Sequence, residues 1–261
     1  MSRKVLFVAA MLFVVVALVA AGCGSSQSVL QRVEKSGVLR VGFEGTYPPF
    51  NFVNDQKQYD GFDVDISTEL AKRLGVKPEF VATKWDGLIG GLQADKFDII
   101  IAQMSITDER KKAVDFTDPY VVTGAVLICR QDDNRFHQLS DIKGAKVGVG
   151  AGTTFEQLAR SVPGADVHTY EAFNDYLQDL VNGRLDVIIN DGLLAGYTIK
   201  HGNLPVKICS GLLDTDTIGM AIKKGNTDLV SKVNAILAQM KQDGTYDQIY
   251  EKWFGTKPLG G

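Results

Sequence analysis

Short apolar runs alternate with helix-like segments along nearly the whole chain, and the alternation starts twice. Leu39–Glu44 reads as a strand ending in turn residues. Asp63–Leu74 reads as a helix with Asp63 as its cap, Ile66, Leu70 and Leu74 on one face, and Gly75 closing it. Strand Glu79–Ala82, helix Asp86–Ala94 and strand Asp98–Ile101 follow. The pattern restarts after Tyr120 with strands Ala125–Cys129 and Lys146–Val149, helix Thr154–Arg160, strand Ala165–Tyr170 and helix Ala172–Asn182. Strand Val187–Ile189, helix Gly192–Lys200 and strand Val206–Cys209 complete it. A return segment, Thr217–Ile222, precedes helices Asp228–Asp243 and Tyr246–Trp253. Strands joined through helices require right-handed crossovers, so the class is α/β with mainly parallel sheets. Periodicity alone allows either two independent domains or one unit inserted in the other.

The N-terminus limits where such a fold can work. Arg3 and Lys4 precede the unbroken apolar run Val5–Ala21, which ends in Gly22-Cys23. A basic start, an apolar stretch and small residues before a cut describe an export signal over residues 1–22, with an uncleaved anchor as the alternative. Residues 23–35, opening Cys-Gly-Ser-Ser-Gln-Ser, then form a flexible tether. Losing Arg3 and Lys4 leaves a chain more acidic than the formal −3 of the whole, with no basic cluster, which argues against nucleic acid. Cys129 and Cys209 pair as a disulfide in an oxidising compartment or stay as buried thiols; sequence leaves both open. His137, His168 and His201 are scattered, so no metal site is expected, and nothing calls for a cofactor.

Chemistry concentrates in Asp98–Tyr120. A short buried strand is followed by the hydroxyls of Ser105 and Thr107 and a helix opening Asp108-Glu109-Arg110. Open α/β sheets bind small anions at the strand's C-terminal end. Arg110 in the first helical turn opposes the helix dipole, yet offers a two-pronged donor for a carboxylate. The bland alternative is a surface ion pair with Asp108 or Asp115.

Five stretches in order carry a resemblance: Glu44-Gly-Thr-Tyr-Pro-Pro-Phe50, Gly61-Phe-Asp-Val-Asp65, Ser105-Ile-Thr-Asp-Glu-Arg110, Asp115-Phe-Thr-Asp-Pro-Tyr120 and Gly244-Thr-Tyr-Asp-Gln-Ile-Tyr250. They resemble the bacterial extracellular solute-binding proteins that serve amino-acid ABC transporters, from about Leu39 to Phe254. The resemblance implies a two-lobe, type II periplasmic-binding-protein-like fold. Its first lobe would be 36–119 plus 219–261 and its second, inserted, 125–213. Residues 120–124 and 214–218 would form a two-strand hinge. It also implies lipidation of Cys23 in a box resembling that of bacterial lipoproteins. A monomer is expected outside the cytoplasm, held by its lipid and working with a membrane permease.

A free amino acid presents a carboxylate, an ammonium and a side chain. Arg110, Ser105 and the Thr153-Thr154 turn would take the carboxylate, although Thr153 with Glu156 also reads as a capping box. Asp191 matches the family's acceptor for the ammonium; at a strand-to-helix junction it also suits an N-cap. Tyr47 and Trp85 would wall the ligand's stem, alone or against a guanidinium. Glu44 falls where family members that read polar or cationic side chains carry an acid, with Gln103 beside it. Gly150 replaces a lysine found in some glutamine binders. Arginine, then lysine or histidine, is therefore expected ahead of glutamine. The pattern is also similar to cyclohexadienyl dehydratase, in which an acid near Glu156 would act on prephenate or arogenate, and to receptors that sense rather than deliver. No catalytic triad or phosphate loop is present, so binding is the expected activity.

Overall fold

The computed structural model describes residues 27–258. The leader, Cys23 and the start of the tether lie outside them. The tether expected over 23–35 ends early, because Val29–Ser36 forms helix α1. Ser28 and Gln31 make a capping box, and Val29 and Val33, one turn apart, are buried against the core.

The first sheet is built from β1 (Val38–Phe43), β5 (Lys77–Ala82), β6 (Ile99–Ile100) and β7 (Val114–Phe116). Between β1 and β5 lie a small meander, β2 (Thr46–Tyr47), β3 (Asn51–Val53) and β4 (Tyr59–Asp60), and helix α2 (Phe62–Leu74). Helices α3 (Leu88–Gln93) and α4 (Asp108–Ala113) follow β5 and β6. Strand β8 (Val121–Thr123) leads into β9 (Ala125–Arg130), β10 (Lys146–Gly150), α5 (Thr154–Arg160), β11 (Asp166–Tyr170) and α6 (Phe173–Val181). Next come β12 (Val187–Asp191), α7 (Gly192–Gly202) and β13 (Val206–Ile208). The chain returns through β14 (Asp216–Ile218) and β15 (Ala221–Lys223) and ends in α8 (Thr227–Gln242) and α9 (Thr245–Phe254).

Two five-stranded sheets result, ordered β5-β1-β6-β15-β7 and β11-β10-β12-β9-β13, with β8 and β14 pairing separately between them. Strands β5, β1 and β6 are parallel, as are β11, β10 and β12. Strands β15 and β9 run antiparallel to both of their neighbours, so the sheets are mixed, not mainly parallel. The cause is the crossing itself. Each parallel strand ends at the cleft between the sheets, and the chain crosses there through β8 and back through β14. A strand that starts at the cleft must run away from it.

Two other local expectations change. Gly61 holds the cap position of α2 at φ 128°, and a Cβ there would collide with the Phe50 backbone. Asp63 is therefore the second residue of the helix, in its first turn, buried, and caps nothing. The return segment Thr217–Ile222 breaks at Gly219 because β14 pairs with β8 whereas β15 pairs with β6 and β7. Each lobe has its own apolar interior: Leu39, Val41, Ile66, Leu70 and Ile99 in the first, Leu127, Val147, Val187 and Ile189 in the second. Burying each such side chain contributes about 2 kcal/mol, and together they give rigid supports for the cleft. Cys129, on β9, and Cys209, just after the neighbouring β13, are free thiols in this structure.

A candidate ligand cleft between the lobes

The parallel strands of both sheets point their C-terminal ends at one another, and residues at or just beyond those ends line a shared cavity. Glu44 follows β1, Trp85 follows β5, and Gln103 and Ser105 follow β6. From the other side come Gly150–Thr154 after β10 and Asp191 at the end of β12.

The lobes are closed on each other. The Tyr47 hydroxyl donates to Asn190 Oδ1 at 2.5 Å, and Trp85 Nε1 donates to the Gly152 carbonyl at 3.3 Å. The Ser105 and Thr154 hydroxyls lie 3.4 Å apart, and Lys84 pairs with Glu171 at 2.8 Å on the rim.

Of the residues expected from sequence, Glu44, Tyr47, Trp85, Gln103, Ser105, Thr154 and Asp191 all line the cavity. Arg110 stands at its edge. The guanidinium carbon lies 5.2 Å from the Trp85 ring centroid, so Trp85 stacks on the protein's own cation. Its Nη1 donates to the Ser105 carbonyl at 3.0 Å and its Nη2 to the Gly152 carbonyl at 3.4 Å. The alternative surface pairing is not formed: Asp108 bonds Lys111 and Asp115 bonds Lys224. Arg110 has no ion-pair partner among the described residues, and burial holds its guanidinium below the usual value, with Asp216 pulling the other way. A half-buried cation held by carbonyls and an aromatic ring, with no ion pair of its own, is suited to an incoming anion.

Asp191 holds both of the roles its position allows. Its Oδ1 caps α7, accepting from the Leu193 and Leu194 amides at 2.7 and 3.1 Å, while the residue also lines the cavity. Burial pushes its carboxyl up to about 6. Glu44 accepts from the Thr46 hydroxyl at 3.1 Å, and burial pushes it up to about 7. Thr153 caps α5 through the Glu156 amide, and its hydroxyl donates to the Gly150 carbonyl. Glu156 accepts from the Gly152 amide and from Arg160, both at 2.8 Å. Burial pushes Glu156 up, but these donors outweigh it and hold the carboxyl below its ordinary range.

Sequence reasoning missed Asp216, which lines the cavity from β14 and accepts from the Ser105 hydroxyl at 2.5 Å. Burial raises its carboxyl. The segment was legible only as a hinge, and the carboxylate repeated at Asp214 and Asp216 was the available signal. It also missed Asn190, one residue short of Asp191, and the pair Phe173 and Tyr176 at the start of α6. Among the described residues, four carboxylates (Glu44, Glu171, Asp191 and Asp216) line the cavity and no Lys, Arg or His does. Glu171 is met by Lys84, and of the other three Asp216 feels the Arg110 guanidinium at the edge.

Residues 39–256 match the profile of the bacterial extracellular solute-binding proteins, family 3. The chain is 40% identical over 233 residues to the L-cystine-binding protein TcyJ of Escherichia coli (strain K12), covering 88% of each. An ancestral arginine-binding protein bound to arginine superposes with a TM-score of 0.81 at 43% identity, over 84% of this chain and 99% of that one. The ancestral amino acid-binding protein AncCDT-1, a precursor of cyclohexadienyl dehydratase, gives 0.82 at 43% identity over 87% and 100%.

Proposed function

This chain belongs to the bacterial extracellular solute-binding proteins, family 3, and from that premise we propose that it captures a cationic L-amino acid, arginine before lysine or histidine, and delivers it to an ABC transporter permease. Charge balance in the cleft supports this reading most. Glu44, Asp191 and Asp216 line the cleft with Arg110 at its edge as the nearby cation, so a ligand carrying one net positive charge reduces the formal excess of negative charge from two to one.

In this reading Arg110 and the Thr154 turn receive the α-carboxylate, and Asp191 with Asp216 receives the α-ammonium. Glu44 and Gln103 receive the side-chain head. Because the zwitterion spans both lobes, binding favours the closed form, which the permease then meets. Lipid attachment at Cys23 would keep the protein beside that permease, as a monomer.

The name of the cystine-binding relative supports a second reading. Cystine has two ammonium groups and two carboxylates, so its far carboxylate would need donors beyond Arg110 and the Thr154 turn. The cavity lining offers no Lys, Arg or His among the described residues, which favours arginine. A dehydratase would need a protonated acid. Glu156 is held in its ionised form by two donors, which supports binding instead.

Thermal unfolding of refolded, ligand-stripped protein against the twenty amino acids, cystine and prephenate tests these readings. A rise in Tm for arginine, lysine or histidine is expected. A response to cystine alone, or to prephenate with product formation, would replace the proposal.

A further inference from the structure

Behind the cleft floor lies a buried polar network whose proton directions are set by two backbone amides. The Gly45 amide, which can only donate, gives its proton to Asn51 Oδ1 at 2.8 Å. Asn51 must therefore turn its Nδ2 toward Asp63, where it donates to Oδ2 at 2.8 Å. The Gln103 amide likewise donates to the Tyr120 hydroxyl oxygen at 3.2 Å. Tyr120 passes its own proton to Asp63 Oδ1 at 2.8 Å.

These directions leave the Gln103 side chain one orientation. Its Nε2 donates to Asp63 Oδ1 at 2.7 Å and to the Tyr120 hydroxyl at 3.0 Å. With Asp63 ionised, the turned-over amide would set its oxygen against a carboxylate oxygen and a hydroxyl whose proton is already committed. The amide oxygen is thus forced to the opposite side. Gln103 Oε1 is buried and has no hydrogen-bond partner among the described residues. Gln103 itself is only 9% exposed and lines the cavity. Its backbone sits at φ 57°, a left-handed conformation uncommon for a side chain of this kind and frequent where geometry serves a site.

We propose that Asp63, which lies behind the cavity lining, is a specificity-positioning residue: it locks the Gln103 amide so that Oε1 is presented to the ligand as a fixed acceptor. The acceptor selects side-chain heads that offer donors on every side, such as a guanidinium, over isosteres in which a carbonyl replaces one of those donors. This rests on the cationic-ligand reading above and deepens it. An unfilled buried acceptor is costly, so the ligand that fills it gains most.

Arginine and citrulline differ in this respect at almost constant shape, and they are the probes. The variants are Asp63→Asn, which lets the amide at 63 donate to Gln103 and so allows Gln103 to turn over, Gln103→Met, and the double variant. Wild type should prefer arginine. Each single variant should shrink the arginine-to-citrulline affinity ratio by about tenfold. The double variant should shrink it no further than Gln103→Met, since Asp63 acts through Gln103. If Asp63→Asn does not fold, Gln103→Met still reads the acceptor directly. Equal weakening of both ligands, with the ratio unchanged, would make Asp63 merely structural and overturn the inference while leaving the cationic-ligand reading intact. Failure of wild type to bind any cationic amino acid would overturn both.

Discussion

The Tyr47 hydroxyl donates to Asn190 Oδ1 at 2.5 Å, a direct bond between the lobes inside the cleft. The same Asn190 oxygen accepts the Asp191 amide at 2.7 Å, so this latch is anchored beside the proposed ammonium site. Tyr47→Phe removes the latch and keeps the ring, whose neighbour Phe50 stacks at 5.5 Å. The net value of such a bond is about 1 kcal/mol, so ligand dissociation should quicken by about fivefold. Stopped-flow displacement measures this. An unchanged dissociation rate would mean that closure does not depend on the latch.

Arg110 should matter to every amino acid alike. Arg110→Ala is expected to cost about 3 kcal/mol, a hundredfold or more in Kd, for arginine, lysine and histidine together. Arg110→Lys should restore little, since a point charge cannot reproduce the two-pronged geometry. Glu44→Gln, by contrast, should change the order among ligands. Calorimetric titration of each variant with all three separates these outcomes, and uniform losses in Glu44→Gln would remove its side-chain role.

Affinity for a cationic ligand should fall in mild acid. Burial pushes Glu44 up to about 7 and Asp191 up to about 6 in the ligand-free protein, and Asp63 behind them also lies near 7. Asp216 is raised too, and Arg110 keeps its charge throughout. A bound cation favours the ionised carboxylates, so binding releases protons. Kd should therefore rise as pH drops from 7.5 to 5.5 and level off above about 8. Titrations in buffers of different ionisation enthalpy report the proton release directly; zero release at pH 6.5 would contradict the assignment.

Asp98 makes a separate, structural prediction. Its carboxylate accepts from Arg32 Nη2 at 2.8 Å and from Arg40 Nη2 at 2.7 Å, joining α1 to the first sheet. Burial raises this carboxyl, but the arginine donors outweigh it, so its folded pKa lies below the ordinary value. Its contribution is present above the unfolded carboxylate range and is lost as pH falls through the depressed value. Because both arginines are partly exposed, Asp98→Asn should cost about 2 kcal/mol at pH 7 and less at pH 3, measured by denaturant unfolding.

The order of strands and helices was legible because each is a short apolar run or a one-faced helix, and periodicity reports burial directly. Strand direction was less so. Antiparallel β9 and β15 look like any other buried strand, and only the position of the crossings reverses them. Helix α1 was hidden because its buried stripe consists of just Val29 and Val33, next to a polar stretch that reads as a tether. In the cleft, Tyr47, Trp85 and Asp191 were legible as residues at strand ends, and Glu44 through the family resemblance. Asp216 was not, because its side chain acts from a hinge strand where carboxylates are common. The Asp63 network was invisible for a different reason: Asp63 at a helix start reads as a cap, and only Gly61 taking that position reveals the buried carboxylate.

The most direct test is calorimetric titration of refolded, ligand-free protein with L-arginine and L-cystine under the same conditions at pH 7.5. One arginine per chain, bound at least tenfold more tightly than cystine, is the expected result. Tight binding of cystine with little or none of arginine would contradict the acidic cleft as a site for a cationic amino acid.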